Sequence, residues 1–329
     1  MEDLELSAVE AAYARLREVV RRTPVLAWGV TGGAGWQPPA GQRLTLKLEH
    51  LQLTGSFKVR GAWNLIADLP AEQRARGLVT ASGGNHGLAV AWAAARAGVA
   101  ATVFLPQMTP AAQEAKIRSF GAAVFRHGLA WDDAWEGAVA YAAERDLPLV
   151  HPFDDPRIVA GQGTVGLELL EQAPDLDLLV VAVGGGGLLG GIAAYAGQRR
   201  PDLRIVGVEP TGAASMSAAL RAGEPLALPG VQTIAHTLAP RRVSRLTLDL
   251  CRRYVESVVL VEDADLVAAM ERLWADANLL VEPSGAATLA ALMAGRIPGA
   301  ETAHHVGIVV CGANVDAAPA IALATGRHG

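Results

Sequence analysis

The chain has 329 residues, of which 51% are hydrophobic and 19% charged, and a formal net charge of −5. A chain of this length buries about three quarters of the surface it exposes when unfolded, so it needs no disulfide or metal staple, and its apolar content excludes disorder for the bulk of it. The acidic balance, with no basic run longer than a pair such as Arg241-Arg242, excludes nucleic acid as the main partner.

The first predicted element is a helix over Ser7–Arg22, with Ser7 and Glu10 spaced as a capping box and Thr23-Pro24 stopping it. A Gly/Pro-rich loop from Gly29 to Gly41 follows. Strand-like and helix-like segments then alternate: Leu44–Leu48 and a helix after Lys58; Leu78–Ala81 and Leu88–Ala97; Ala101–Leu105 and Pro110–Phe120; Ala123–Arg126 and Trp131–Arg145. After His151-Pro152-Phe153 the alternation resumes, with Asp155 and Pro156 as the N-cap and first position of a helix towards Glu171. Then come Leu178–Val183 and Leu188–Arg199, Arg204–Glu209 and Ala213–Arg221, a helix over Arg245–Tyr254, strand Val255–Val261, helices Ala264–Asp276 and Ser284–Ala294, and strand Val306–Cys311.

This βα alternation predicts an α/β fold of two domains, each an open, mostly parallel twisted sheet flanked by helices. The loop near His151–Asp154 marks the plainest boundary. Residues 1–74 with 151–329 are expected to form a large domain, and 75–150 a small one. Leu178–Gly197 is long enough and uncharged enough to span a membrane, but seven of its twenty residues are glycine, four of them consecutive. Such a run breaks a helix in its middle, so a buried strand, a turn and a helix are expected, with no membrane partner. The acidic start lacks the apolar stretch of a secretory signal, and Cys251 and Cys311 form no metal spacing, so the expected compartment is the cytoplasm.

Ligands of open parallel sheets bind beyond the carboxyl ends of strands, and four segments there carry chemistry. In Gly55-Ser56-Phe57-Lys58-Val59-Arg60-Gly61-Ala62, a lysine opens a helix where the dipole disfavours a cation. Only three of the 28 basic residues are lysines, Lys47, Lys58 and Lys116. An amine that must lose its proton to attack a carbonyl cannot be arginine, and this argument singles out Lys58, leaving Lys47 and Lys116 as structural or surface residues. Ser82-Gly83-Gly84-Asn85-His86-Gly87 offers side-chain donors and free N–H groups at a helix start, suited to a carboxylate or phenolic oxygen. Gly184-Gly185-Gly186-Gly187-Leu188 can wrap a phosphate, with the helix dipole adding roughly 0.3–1 kcal/mol. The same stretch matches GxGxxG through Gly185, Gly187 and Gly190, with Glu209 placed as a ribose-binding acid, so a nicotinamide oxidoreductase is a rival reading of this segment alone. Cys311-Gly312-Ala313-Asn314 ends the last strand.

Together, in order and spacing, GSFKVRGA, SGGNHG, HPFDD, AGQGT, GGGGLLGG, VEP, TIA, EPSGAA and CGAN resemble the pyridoxal-phosphate enzymes of fold type II, whose architecture is that of tryptophan synthase β. The likeness is greatest to the serine/threonine dehydratase and serine racemase group, and it displaces the dinucleotide reading. It implies that Lys58 forms an imine with pyridoxal 5'-phosphate in the cleft between the domains. It also implies that Phe57 packs beside the ring and that Gly184, Gly185, Gly186, Gly187 and Leu188 hold the phosphate. Asn85 would bond the phenolic oxygen, Ser82 with Gly83, Asn85 and His86 would take the substrate carboxylate, Cys311 would face the pyridine nitrogen, and Glu282 would lie at the cofactor edge. The implied reaction is α,β-elimination on L-threonine or L-serine to a 2-oxo acid and ammonia, by a homodimer or homotetramer. Serine racemase, 3-hydroxyaspartate dehydratase and a non-catalytic amino-acid-binding relative are the alternatives. The chain ends soon after CGAN, so no C-terminal regulatory domain is expected.

Three positions depart from the group's pattern. Gly83 stands where the racemases carry a serine acid/base, so dehydration is expected to exceed racemisation. In the cation site that the resemblance implies, Glu209 and Ala213 fit, but Ser215 replaces a carboxylate, which weakens a site for a hard cation. His236-Thr237 follows TIA where Asp-Gly is usual, and His236 is expected to alter substrate choice.

Overall fold

A computed structural model describes residues 4–29, 35–316 and 321–322. Helix α1 (Leu6–Leu16) leads into strands β1 (Val25–Ala27) and β2 (Arg43–Lys47), then helices α2 (Lys58–Asp68) and α3 (Ala71–Arg76). Next come β3 (Leu78–Ala81), α4 (Asn85–Ala97), β4 (Ala101–Leu105), α5 (Ala111–Ser119), β5 (Ala123–Arg126) and α6 (Trp131–Arg145). The rest comprises α7 (Pro156–Gln172), β6 (Leu178–Ala182), α8 (Gly187–Arg199), β7 (Arg204–Pro210), α9 (Ser215–Ala222), α10 (Arg245–Tyr254), β8 (Ser257–Val261), α11 (Asp263–Ala277), α12 (Pro283–Met293) and β9 (His305–Val309).

The strands form two sheets, one of six in the order β1-β2-β9-β6-β7-β8 and one of three in the order β3-β4-β5. Among the described residues, every pairing between these strands is parallel except β1 with β2. Parallel strands covered by helices on both faces read as unbroken apolar runs, and Leu178–Ala182 is buried at every position. The stretch considered for a membrane therefore divides into β6, a glycine turn and α8, and among the described residues no helix is long and apolar enough to cross a membrane.

Helix α7 fixes the position of α2. A β-carbon on Gly161 would lie 2.6 Å from the Cα of Gly61, and one on Gly191 would lie 2.3 Å from the carbonyl oxygen of Val159. The small residues of AGQGT thus let α2 and α8 cross α7 at backbone contact. Asp155 caps α7 as expected, its carboxylate accepting from the Arg157 N–H at 2.8 Å, with Pro156 in the first turn.

Some expectations are corrected. Helix α1 stops at Leu16, not Arg22, because the N–H groups of Val19 and Val20 both turn back onto the Leu16 carbonyl. Its N-cap is Glu5, so Ser7 lies inside the helix, where its hydroxyl donates to the Glu5 carboxylate instead of forming a capping box with Glu10. The edge strand β1 occupies residues before the Gly/Pro loop, and positions 30–34 of that loop lie outside the described residues.

Candidate active site

Lys58 opens α2 directly, with Phe57 as an N-cap that offers no side-chain bond. The Phe57 N–H donates to the Cys311 carbonyl at 3.2 Å, and Ser56 bridges Gly312, so the lysine segment is tied to the end of β9. The Lys58 amine donates to the Pro152 carbonyl at 3.1 Å and lies 5.1 Å from the centre of the Phe57 ring. Burial lowers its pKa to about 8, against the pull of Cys311 and Glu282. The other lysines differ. Lys47 is buried in an ion pair with Glu168 at 2.6 Å, and Lys116 is exposed on α5. Lys58 alone among the three is both partly desolvated and held by a lone carbonyl.

The glycine turn between β6 and α8 faces the same region. Gly186 has a φ of +87°, open to glycine at little cost, and the Gly185 carbonyl accepts from the Thr247 hydroxyl at 2.8 Å. A β-carbon on Gly185 would come within 2.2 Å of the Phe153 ring. Phe153 and Pro152 belong to the segment that holds Lys58, so the glycine turn and the amine share one support.

Asn85, at the start of α4, reaches across to the larger sheet. Its amide donates to Glu282 at 2.7 Å and its carbonyl accepts from Asn314 at 2.7 Å. Glu282 also accepts from the Ser284 hydroxyl at 2.6 Å, the Thr237 hydroxyl at 3.1 Å and the Asn314 N–H at 3.1 Å. Burial raises the carboxyl's pKa against these donors. The Cys311 thiol, pushed up by burial and by Glu282, stays protonated and donates to the Ser284 carbonyl at 3.3 Å. Thr237 and Asn314 were not assigned roles from sequence. Asn314 was visible as the last letter of CGAN; Thr237 was masked by its neighbour His236, which is exposed on a short turn and makes none of these bonds.

The remaining positions are placed as follows. Ser82 accepts from the Gly84 N–H at 3.2 Å, and residues 82–84 are half-buried. His86 is buried, with its ring Nε2 at 3.3 Å from the Val150 carbonyl and its Nδ1 without a partner, and its N–H lies in the first turn of α4. A β-carbon on Gly83 would come within 2.4 Å of the Thr109 hydroxyl oxygen. Glu209 accepts from the Met216 and Ser217 N–H groups at 2.6 and 2.9 Å and from the Ser217 hydroxyl at 2.7 Å. It therefore caps α9 rather than facing a ribose, and the described residues contain no group of three or more His, Cys, Asp or Glu that could hold a metal ion.

Residues 17–312 match the family model described as "Pyridoxal-phosphate dependent enzyme". An L-threonine ammonia-lyase of Thermotoga maritima is 38% identical over 319 residues, covering 95% of this chain and 76% of the relative. A phenylserine dehydratase of Ralstonia pickettii is 37% identical over 316 residues, 95% of this chain and 94% of the relative. Maize serine racemase superposes with a TM-score of 0.90 at 34% identity, covering 96% of this chain and 95% of that one. With nearly the whole chain matched in sequence and fold, the protein belongs to the pyridoxal-phosphate dependent enzymes.

Proposed function

We propose that this protein is an ammonia-lyase that converts a β-hydroxy amino acid, L-threonine or L-serine by default, to a 2-oxo acid and ammonia. The observation that carries the reading is the Lys58 amine, which donates to the Pro152 carbonyl with no carboxylate partner among the described residues, on a segment bonded to Cys311 and beside the Phe153 that lies against Gly185. These residues fit the cofactor. The amine is available for an imine, the glycine turn at the head of a thirteen-residue helix suits its phosphate, and Cys311 supplies a neutral donor.

When bound, pyridoxal phosphate supplies an electron sink for a substrate amine linked to it. Around it, Gly184–Leu188 would hold the phosphate, Phe57 would pack on the ring, and Asn85, kept in place by its bond to Glu282, would orient the phenolic oxygen. Ser82 and the first N–H groups of α4 hold the substrate carboxylate. Lys58, once its amine is free, would take the proton from the substrate's α-carbon; in the overall balance the β-hydroxyl leaves as water, hydrolysis consumes one water, and the products are a 2-oxo acid and ammonia. Cys311, uncharged, would not hold the pyridine nitrogen protonated as a carboxylate would, and the weaker electron sink would favour elimination over prolonged carbanion chemistry. Residues 1–74 and 151–329 act as the cofactor domain and 75–150 as the substrate domain, in a homodimer or homotetramer. Screening hydroxy amino acids for keto-acid release by the holoenzyme tests the reading; no release from any of them contradicts it.

Racemisation is the second reading, supported by the likeness to maize serine racemase. Gly83 has no proton to give, and the Thr109 side chain fills the space a residue there would need. With L-serine, pyruvate formation is expected to exceed D-serine formation by at least about tenfold, since one lost acid/base group costs about 10² or more. Equal rates, read by chiral chromatography, contradict this.

Gly185→Ala tests the turn independently. Its methyl group meets the Phe153 ring, and relieving the clash moves the turn, an overpacking cost of about 1–3 kcal/mol. Pyridoxal phosphate affinity, followed by visible absorbance, is expected to fall at least about tenfold. Unchanged affinity removes the turn from the phosphate site.

A further inference from the structure

We propose that the substrate's β-substituent lies against a wall of aromatic side chains, and that the enzyme therefore prefers a β-aryl β-hydroxy amino acid to threonine. This deepens the ammonia-lyase reading and rests on it. Trp131 and Trp135, one turn apart at the start of α6, stack with ring centres 5.5 Å apart and planes 16° apart, and both are half-buried. His151 stands edge-on to them, at 6.1 Å from Trp131 and 4.7 Å from Trp135, and edge-on to Phe153 at 4.7 Å.

The two ends of this wall are fixed to the two groups that flank a substrate's α-carbon. At one end, the Trp131 indole N–H donates to the Ala81 carbonyl at 2.9 Å, immediately before Ser82 of the carboxylate loop. At the other, Pro152, between His151 and Phe153, holds the Lys58 amine, and the Phe153 ring lies against Gly185. A substituent on the β-carbon of an amino acid held by Ser82 and attacked by Lys58 has this wall beside it.

The wall is uncharged at neutral pH. The His151 Nδ1 accepts from the N–H groups of Asp154 at 2.8 Å and Phe153 at 3.3 Å, which puts the ring proton on Nε2. Burial, with the Lys58 charge added, lowers its pKa to about 4 against Asp154 and Asp155. Arg241 pairs with Asp132 at 3.5 Å, bringing the loop after Thr237 over the head of α6. A neutral stack of rings favours an aromatic partner edge-on or offset-stacked, and each such contact is worth about twofold to tenfold in affinity beyond its area. A methyl group gains neither the area nor the ring geometry.

The test compares kcat/KM for keto-acid release from L-threo-phenylserine and from L-threonine by the holoenzyme, its Trp135→Ala variant and its Trp135→Phe variant. The wild type is expected to favour phenylserine by about tenfold, Trp135→Ala to lower that ratio about tenfold, and Trp135→Phe to keep it within about threefold. Threonine turnover with no preference for phenylserine, or a ratio unmoved by Trp135→Ala in a variant that still binds pyridoxal phosphate, overturns the wall but leaves the ammonia-lyase reading standing. Should neither substrate release keto acid, that reading fails instead. The wall is then tested in the wild type by the absorbance change on adding L-phenylalanine or L-alanine, with tighter binding of phenylalanine expected and equal binding overturning it.

Discussion

Lys58→Ala is expected to lower keto-acid release at least about 10³-fold and to abolish the imine absorbance of the purified protein, since one residue supplies both the covalent attachment and the base for the α-proton. Lys58→Arg is expected to be as inactive, because a guanidinium keeps its proton at any working pH. The wild-type amine differs from an ordinary lysine because desolvation lowers its pKa to about 8 from 10.5, with Cys311 and Glu282 opposing. A lowered pKa means that the free base accumulates earlier as pH rises. The rate at which apo-protein takes up pyridoxal phosphate should therefore climb through pH 7 and 8 with a midpoint at about 8 and then level off. A rate still climbing at pH 10 would show that the attacking amine is an ordinary one.

The second large effect lies behind Lys58, in a buried cluster of two cations and two anions. Arg60 is fully buried and donates twice to Glu49 and twice to Glu168, all four bonds at 2.8 Å. Lys47 donates to the same Glu168 at 2.6 Å, and the Thr23 hydroxyl donates to Glu49 at 2.5 Å. Arg60→Ala leaves two carboxylates facing one ammonium away from water, and is expected to destabilise the fold by about 3–5 kcal/mol, the range for breaking a buried ion pair from one side. Arg60→Lys keeps the charge but loses the planar fork that serves both carboxylates, and should recover only part of this. Urea unfolding of the holoenzyme measures both; a loss below about 1 kcal/mol in Arg60→Ala would mean that the cluster relaxes by admitting water. Because Arg60 follows Lys58 by two residues in a helix without a side-chain N-cap, the same cluster anchors the turn that presents the amine.

The strands were legible because buried parallel strands are apolar runs bounded by glycine and proline, and their carboxyl ends led to Lys58, the glycine turn, Asn85 and Cys311. The partners of those residues were less legible. Arg60 and Glu168 are 108 positions apart, so nothing local marks Lys47, left from sequence as structural or surface, as a member of a buried cluster. The short 3₁₀ turn at His236–Leu238 has no periodicity to show which side chain meets the carboxylate, and Thr237 rather than its more conspicuous neighbour reaches Glu282. Glu209, offered as a ribose-binding acid on the glycine segment alone, caps α9 through three donors that lie beyond the end of its own strand. Side-chain direction at element ends depends on tertiary contacts, and a pattern of residue types does not carry it.

The central claim concerns one amine among three lysines, which makes it directly measurable. The purified holoenzyme is reduced with borohydride, digested, and its peptides are mapped by mass spectrometry for a pyridoxyl adduct. The adduct is expected on the peptide containing Lys58 and on no other; an adduct on Lys47 or Lys116 instead, or a protein that carries none after incubation with pyridoxal phosphate, would contradict it.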